Sequence, residues 1–136
     1  VIDPSFLSVD DVLELHADQL EWYGGSPGIR DRVGLESAVE TPRVTFDGQL
    51  LHDGLFAIAA AYAFHIAESQ AFVDGNKRAG LNAALVFLLI NGWLVADPDG
   101  ALYDAMIAIS AGTMTKQQLA ELLQTLALPD TDDEAF

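Results

Sequence analysis

Residues 55–90 read LFAIAAAYAFHIAESQAFVDGNKRAGLNAALVFLLI, two long apolar segments divided by a short polar loop. Leu55, Ile58, Ala59, Tyr62 and Ile66 recur at helical spacing, and alanines fill the intervals. The first segment is therefore apolar nearly all round, as a helix buried on several sides must be. The second opens near Asn76 and carries Leu81, Leu85, Phe87, Leu88 and Leu89. Gly92 supplies the left-handed residue that ends it. The pattern predicts a central hairpin of two buried helices, Leu55–Ser69 and Asn76–Ile90, which would hold the loop between them rigidly.

Outward from the hairpin, Ser8 and Asp11 read as a helix N-cap with an acid in the first turn. Val9, Val12, Leu13, Leu15, Leu20 and Trp22 give an amphipathic helix that ends near Tyr23, stopped by Gly24 and Gly25. Residues 24–34 read as a loop, 35–40 as a short helix before Pro42, and 43–53 as a polar loop with Asp53 placed to cap the first central helix. Beyond the hairpin, Trp93, Leu94 and Val95 are extended, and Asp97-Pro98-Asp99-Gly100 is a turn. Tyr103, Met106, Ile107 and Ile109 mark a helix closed by Gly112. Thr115 and Gln118 form a capping box before a last helix with Leu119, Leu122, Leu123 and Leu126 on one face. The expected fold is all-α, a single domain of about six helices over residues 1–128, followed by an acidic, mobile tail over 129–136.

At 136 residues and 51% apolar, the chain is long enough to hide roughly two-thirds of its unfolded surface in one core. With no cysteine there is neither a disulfide framework nor a thiolate metal site, in keeping with a cytoplasmic location. No signal peptide is visible. No apolar run, that of residues 83–90 included, approaches the roughly 20 residues a membrane span requires, so no membrane partner is expected. A net charge of −15 repels phosphate backbones and argues against direct nucleic-acid binding. A basic protein surface or a locally guided nucleotide fits better.

Chemistry concentrates in the loop. Of six basic residues set against 21 acidic ones, two stand side by side at Lys77 and Arg78, in the first turn of the second central helix. The helix dipole disfavours a cation there by roughly 0.3–1 kcal/mol. An anion docked on the exposed N–H groups of that turn reverses the argument, because dipole and side chains then act together on it. Phosphate is the obvious candidate. Plainer readings stand beside this one: Asp74 and Asn76 as helix N-caps, Lys77 and Arg78 as a solvated surface pair, and Phe72 as a core anchor that pins the loop. His65 reads as a satisfied core residue pointing away from the loop. His16 and His52 have no ligand partner at metal-binding spacing along the chain.

The loop resembles the signature of the Doc toxins, the death-on-curing branch of the Fic superfamily. That signature runs His, any residue, Phe, any residue, Asp or Asn, Gly or Ala, Asn, Lys, Arg, and Phe72, Asp74, Gly75, Asn76, Lys77 and Arg78 all match it. Where the family carries its catalytic His, this chain has Gln70. The tract Tyr23-Gly24-Gly25, Gly28-Ile29-Arg30-Asp31 and Gly34-Leu35-Glu36 is also similar to the family, so the resemblance runs over about residues 6–128. It implies the Fic helical core.

In Doc toxins this motif builds a site for ATP or another nucleoside triphosphate and transfers the γ-phosphate to elongation factor Tu, stopping translation. Related Fic enzymes transfer the nucleotide monophosphate, with a glycine at the place of Lys77; the lysine favours the kinase branch. The resemblance implies that Asp74 holds Mg²⁺, that Lys77 and Arg78 neutralise phosphates, and that Gly75, Asn76 and Asn82 contribute to the anion site. It further implies a toxin that is a monomer when free and is paired with a cognate antitoxin, whose C-terminal helix lies in a groove of the toxin. A His at position 70 would act as general base, a contribution of about 10²–10⁴-fold, and Gln70 cannot accept a proton at neutral pH. Two classes of function follow: a Doc-type kinase attenuated at its base, or a catalytically silent module that still binds nucleotide or protein. A Fic-type nucleotidyltransferase is the further alternative.

Overall fold

The computed structural model describes residues 3–46, 49–50 and 52–130. Its helices are α1 (Val9–Tyr23), α2 (Arg32–Glu40), α3 (Leu55–Ser69), α4 (Asn76–Ile90), α5 (Ala101–Ser110) and α6 (Lys116–Leu126), with a 3₁₀ turn at Thr41–Arg43. Two small antiparallel pairs complete it, β1 (Thr45–Phe46) with β2 (Gln49–Leu50) and β3 (Trp93–Val95) with β4 (Ala127–Pro129). The all-α reading and the bounds of both central helices hold.

Helix α3 is the axis of the fold, with α2, α4, α5 and α6 packed around it. Its Ile58, Ala59, Ala60, Tyr62, Ala63 and Ile66 are fully buried. Small residues let α3 and α4 approach closely: a Cβ on Gly80 would run into the Ala63 carbonyl. That contact fixes the spacing of the two helices and so the span of the loop joining them. The buried Tyr62 hydroxyl accepts from the Leu7 amide at 2.9 Å, tying the N-terminal segment to α3, and burial pushes its pKa up to about 12. Asn91 bonds both ways to the backbone of Ser5, at 2.9 Å each.

Local signals explain most element ends. Ser8 with Asp11 and Thr115 with Gln118 form reciprocal capping boxes, and Asp97 accepts from the Ala101 and Leu102 amides to open α5. Three expectations change. Helix α2 starts at Arg32 rather than at residue 35, because Asp31 is its cap; Gly34 is helical, and a Cβ there would strike the Asp31 carboxylate that caps its own amide. Asp53 does not cap α3, whose N-cap is Gly54 with no side-chain bond. The stretch 43–53 is not loop throughout, since it holds the end of the 3₁₀ turn and the β1–β2 pair. The extended residues 93–95 find their partner in β4, where Trp93 faces Pro129. Of the tail read from residue 129 onward, 131–136 lie outside the described residues. Among the described residues no helix is long and apolar enough to cross a membrane.

The α1 face also differs from its apolar reading. Its buried positions are Val12, His16 and Gln19, whereas Trp22 is 83% exposed. The two polar side chains turn inward because the motif loop lies against them.

Candidate anion site at the α3–α4 loop

After Ser69 the chain leaves α3 through Gln70, the one non-glycine residue with a left-handed backbone among the described residues (φ 49°). Residues 71–73 then run extended against the 28–31 segment. The Arg30 and Asp31 amides donate to the Ala71 carbonyl at 2.6 and 3.1 Å, and the Val73 amide donates to Gly28 at 3.0 Å. The Arg30 guanidinium donates to the Gln70 carbonyl at 2.9 Å. The glycine-rich tract therefore backs the motif through one antiparallel bridge, Ile29 with Phe72.

Asn76 closes the loop on itself: its side chain accepts from the Phe72 amide and donates to the Phe72 carbonyl, both at 3.0 Å. Phe72 is buried and stacks on His16, with ring centroids 3.7 Å apart. The His16 Nε2–H donates to the Asp74 carbonyl at 2.8 Å, and Gln19 Nε2 donates to the Gly75 carbonyl at 2.9 Å. The loop carbonyls of residues 70, 71, 72, 74 and 75 are thus all engaged. At the start of α4 the pattern is the opposite. Gly75 is the N-cap and offers no side chain, so the first-turn amides of Asn76, Lys77 and Arg78 have no side-chain cap. The reading of Asp74 and Asn76 as N-caps is excluded: the Asp74 carboxylate accepts from the Gly75 amide at 2.9 Å and the Ser26 amide at 3.1 Å.

A cavity of about 470 Å³ opens in front of this helix end, lined by Asp74, Gly75, Asn76, Lys77 and Arg78 from the motif and by Gln19, Tyr23, Gly24, Gly25 and Tyr103 around them. Neither Lys77 nor Arg78 makes an ion pair among the described residues, where Arg32 with Glu36 is the pair formed. An uncapped helix N-terminus, two half-buried cations without carboxylate partners and one carboxylate therefore face the same space.

The Fic/DOC family model matches residues 6–88. The chain is 31% identical over 120 residues to Protein kinase doc of Escherichia phage P1, covering 88% of this chain and 94% of that one. It is 42% identical over 78 residues to Toxin Doc of Mycolicibacterium smegmatis, covering 57% of this chain and 60% of the relative. The chain belongs to the Fic/DOC family.

Against the Fic/DOC signature, the structure gathers Asp74, Gly75, Asn76, Lys77 and Arg78 at one cavity and leaves two candidates outside its lining. Gln70 is exposed, with its amide donating to the Ala67 carbonyl at 3.0 Å. Among the described residues, Asn82 reaches the site through Gln19, to whose Oε1 it donates at 3.4 Å. His16, Gln19 and Arg30 hold the loop, and apolar periodicity gave no sign of them because all three are polar. Tyr103 joins the site from α5 and carries no local signal at all.

The remaining histidines form a separate cluster. Lys116 at the start of α6 donates to Nε2 of His52 at 3.0 Å and of His65 at 3.1 Å. His65 points to α6 and away from the motif, as expected; His52, without a partner along the sequence, meets His65 edge-on at 6.2 Å. Burial, then the Lys116 charge, lowers both imidazole pKa values, that of His65 to about 4. Burial lowers Lys116 as well.

Proposed function

We propose that this Fic/DOC protein is the toxin of a toxin–antitoxin pair, binds a nucleoside triphosphate at the α4 N-terminus and is attenuated as a phosphotransferase by Gln70. The observation that carries the reading is the pair of cations, Lys77 and Arg78, held without carboxylate partners among the described residues at an uncapped helix start in a chain of net charge −15. Phosphate oxygens satisfy the first-turn amides and the side chains together. Lys77 stands where the motif's kinase branch has its lysine, which favours γ-phosphate transfer over nucleotidyl transfer. The acceptor is a hydroxyl of elongation factor Tu, and the antitoxin lays a helix in a groove of the toxin.

The residues fit a magnesium ion. Asp74 offers one carboxylate to the cavity, each oxygen already oriented by a single amide and keeping a further lone pair. No group of three or more His, Cys, Asp or Glu side chains stands ready for a metal among the described residues. One carboxylate completed by phosphate oxygens and water is the usual arrangement for Mg²⁺. Bound there, the ion would supply charge neutralisation; Lys77 and Arg78 bind and orient the phosphates.

Calorimetry with ATP and Mg²⁺ tests the reading. Binding is expected for the chain as it is, with Arg78→Ala weakening it by roughly 1.5–3 kcal/mol, the scale of a charge-assisted hydrogen bond, and Asp74→Asn removing the Mg²⁺ dependence. Affinity unchanged in Arg78→Ala would return the pair to a surface role. Radiolabelled phosphate transfer to elongation factor Tu then separates an attenuated kinase from a silent binding module.

A further inference from the structure

The Arg78 guanidinium lies over two tyrosine rings, that of Tyr23 with its centroid 4.1 Å away and that of Tyr103 at 4.9 Å. The three residues come from different elements: Tyr23 is the last residue of α1, Arg78 sits in the first turn of α4, and Tyr103 in the first turn of α5. Neither ring belongs to the core, with Tyr23 68% and Tyr103 38% exposed. Both line the cavity. In a chain with 21 acidic residues, Arg78 is thus held by ring faces and by no carboxylate among the described residues.

That choice of partner has a chemical consequence. A carboxylate would take the N–H donors of the guanidinium and cancel its charge, whereas an aromatic face attracts the cation and leaves its charge uncancelled for a ligand. The rings also restrict a long side chain that would otherwise lose much rotamer freedom on gripping a ligand. Lys77, next to it, has no such support among the described residues. Tyr23 is kept at the cavity by the end of α1, where Gly24 turns the chain with φ 78°.

We propose that Tyr23 and Tyr103 are positioning residues that clamp Arg78 through their ring faces, so that its charge is presented ready-made to a phosphate group in the cavity. The assignment rests on the nucleotide reading above and adds to it the two residues that set the strength of the phosphate contact.

The test is calorimetry of ATP with Mg²⁺ on the full chain, on Tyr23→Phe/Tyr103→Phe, on Tyr23→Leu/Tyr103→Leu, and on each in an Arg78→Ala background. Phe keeps the ring and should bind within about twofold of the parent, while loss of both rings should weaken binding roughly 5–10-fold. In the Arg78→Ala background the Leu pair should cause no further loss, because its effect passes through the arginine. The exposed positions leave the thermal midpoint nearly unchanged, which separates positioning from a folding defect. Equal affinity of the Leu pair and the parent, or a loss that persists without Arg78, overturns the clamp while the nucleotide reading stands. Failure of the parent chain to bind ATP overturns the nucleotide reading, and the role given to the clamp falls with it.

Discussion

His16 lies flat on Phe72, ring centroids 3.7 Å apart and planes 9° from parallel, while its Nε2–H donates to the Asp74 carbonyl two residues further on. One side chain of α1 thereby fixes both the anchor of the motif loop and the backbone that carries the candidate metal ligand. The carbonyl can only accept, so the ring proton sits on Nε2.

Replacing His16 by Ala removes the stacked ring and leaves the Asp74 carbonyl of that part-buried bond without its donor, and we expect a loss of about 1–3 kcal/mol in urea unfolding. Phe72→Ala should cost more, about 3–5 kcal/mol, as a fully buried aromatic. If His16→Ala unfolds like the parent, α1 does not brace the loop.

Gly75 has φ 78°, and a Cβ there would also collide with the Gln19 amide that donates to its carbonyl. Gly92 has φ 95° with open space around it. Gly92→Ala should therefore show backbone strain alone, about 1 kcal/mol, and Gly75→Ala roughly 1–2 kcal/mol more together with weaker ATP binding. Equal costs at the two positions would show that the Gln19 contact contributes nothing.

The contrast between these residues shows what the sequence reveals. Apolar periodicity located α3 and α4 to the residue, since long buried helices repeat their signal over several turns. The run from Phe72 to Arg78 marked the candidate site, because two adjacent cations in the first turn of a helix oppose its dipole. His16 and Gln19 were invisible for the opposite reason: they are polar residues on a buried face, and only the loop packed against them explains why. The β3–β4 pair and Tyr103 depend on chain segments about 25 residues or more away, beyond any local pattern. The start of α2 was misread because Gly34 looks like loop punctuation until the Asp31 carboxylate beside it is seen.

The Lys116 cluster predicts a pH dependence. Both imidazoles accept from the ammonium, and their folded pKa values lie below the ordinary 6.5, that of His65 at about 4. As pH falls below 6.5 the unfolded chain takes up protons that the folded chain refuses, so stability is lost between about pH 6.5 and 4. After allowance for screening at a half-exposed site the loss from His65 is about 1 kcal/mol, and His52 adds to it in the same direction. Urea unfolding at pH 7 and pH 4.5 should show this loss in the parent and a smaller one in His65→Gln. The same pH slope in both proteins would clear the cluster of the effect.

On the proposed function, position 70 decides whether the site turns over. The Gln70 side chain donates to the Ala67 carbonyl at 3.0 Å and stands 3.5 Å from the Asn76 amide, so it completes the turn out of α3 without offering a base. Gln70→His should supply an imidazole whose ordinary pKa near 6.5 suits proton removal at neutral pH. Phosphate transfer to elongation factor Tu should rise by about 10²–10⁴-fold, with the rate climbing through pH 6–7 and ATP affinity little changed. Gln70→Glu separates the imidazole from the shape: it is the closest match in size and ionised at neutral pH, but with an ordinary carboxyl pKa near 4.3 it is a weaker base than imidazole, and it cannot donate to Ala67. It should recover less transfer than the His variant. A His variant that binds ATP and transfers nothing would make this protein a binding module, and a glutamine form already at full rate would move the base elsewhere.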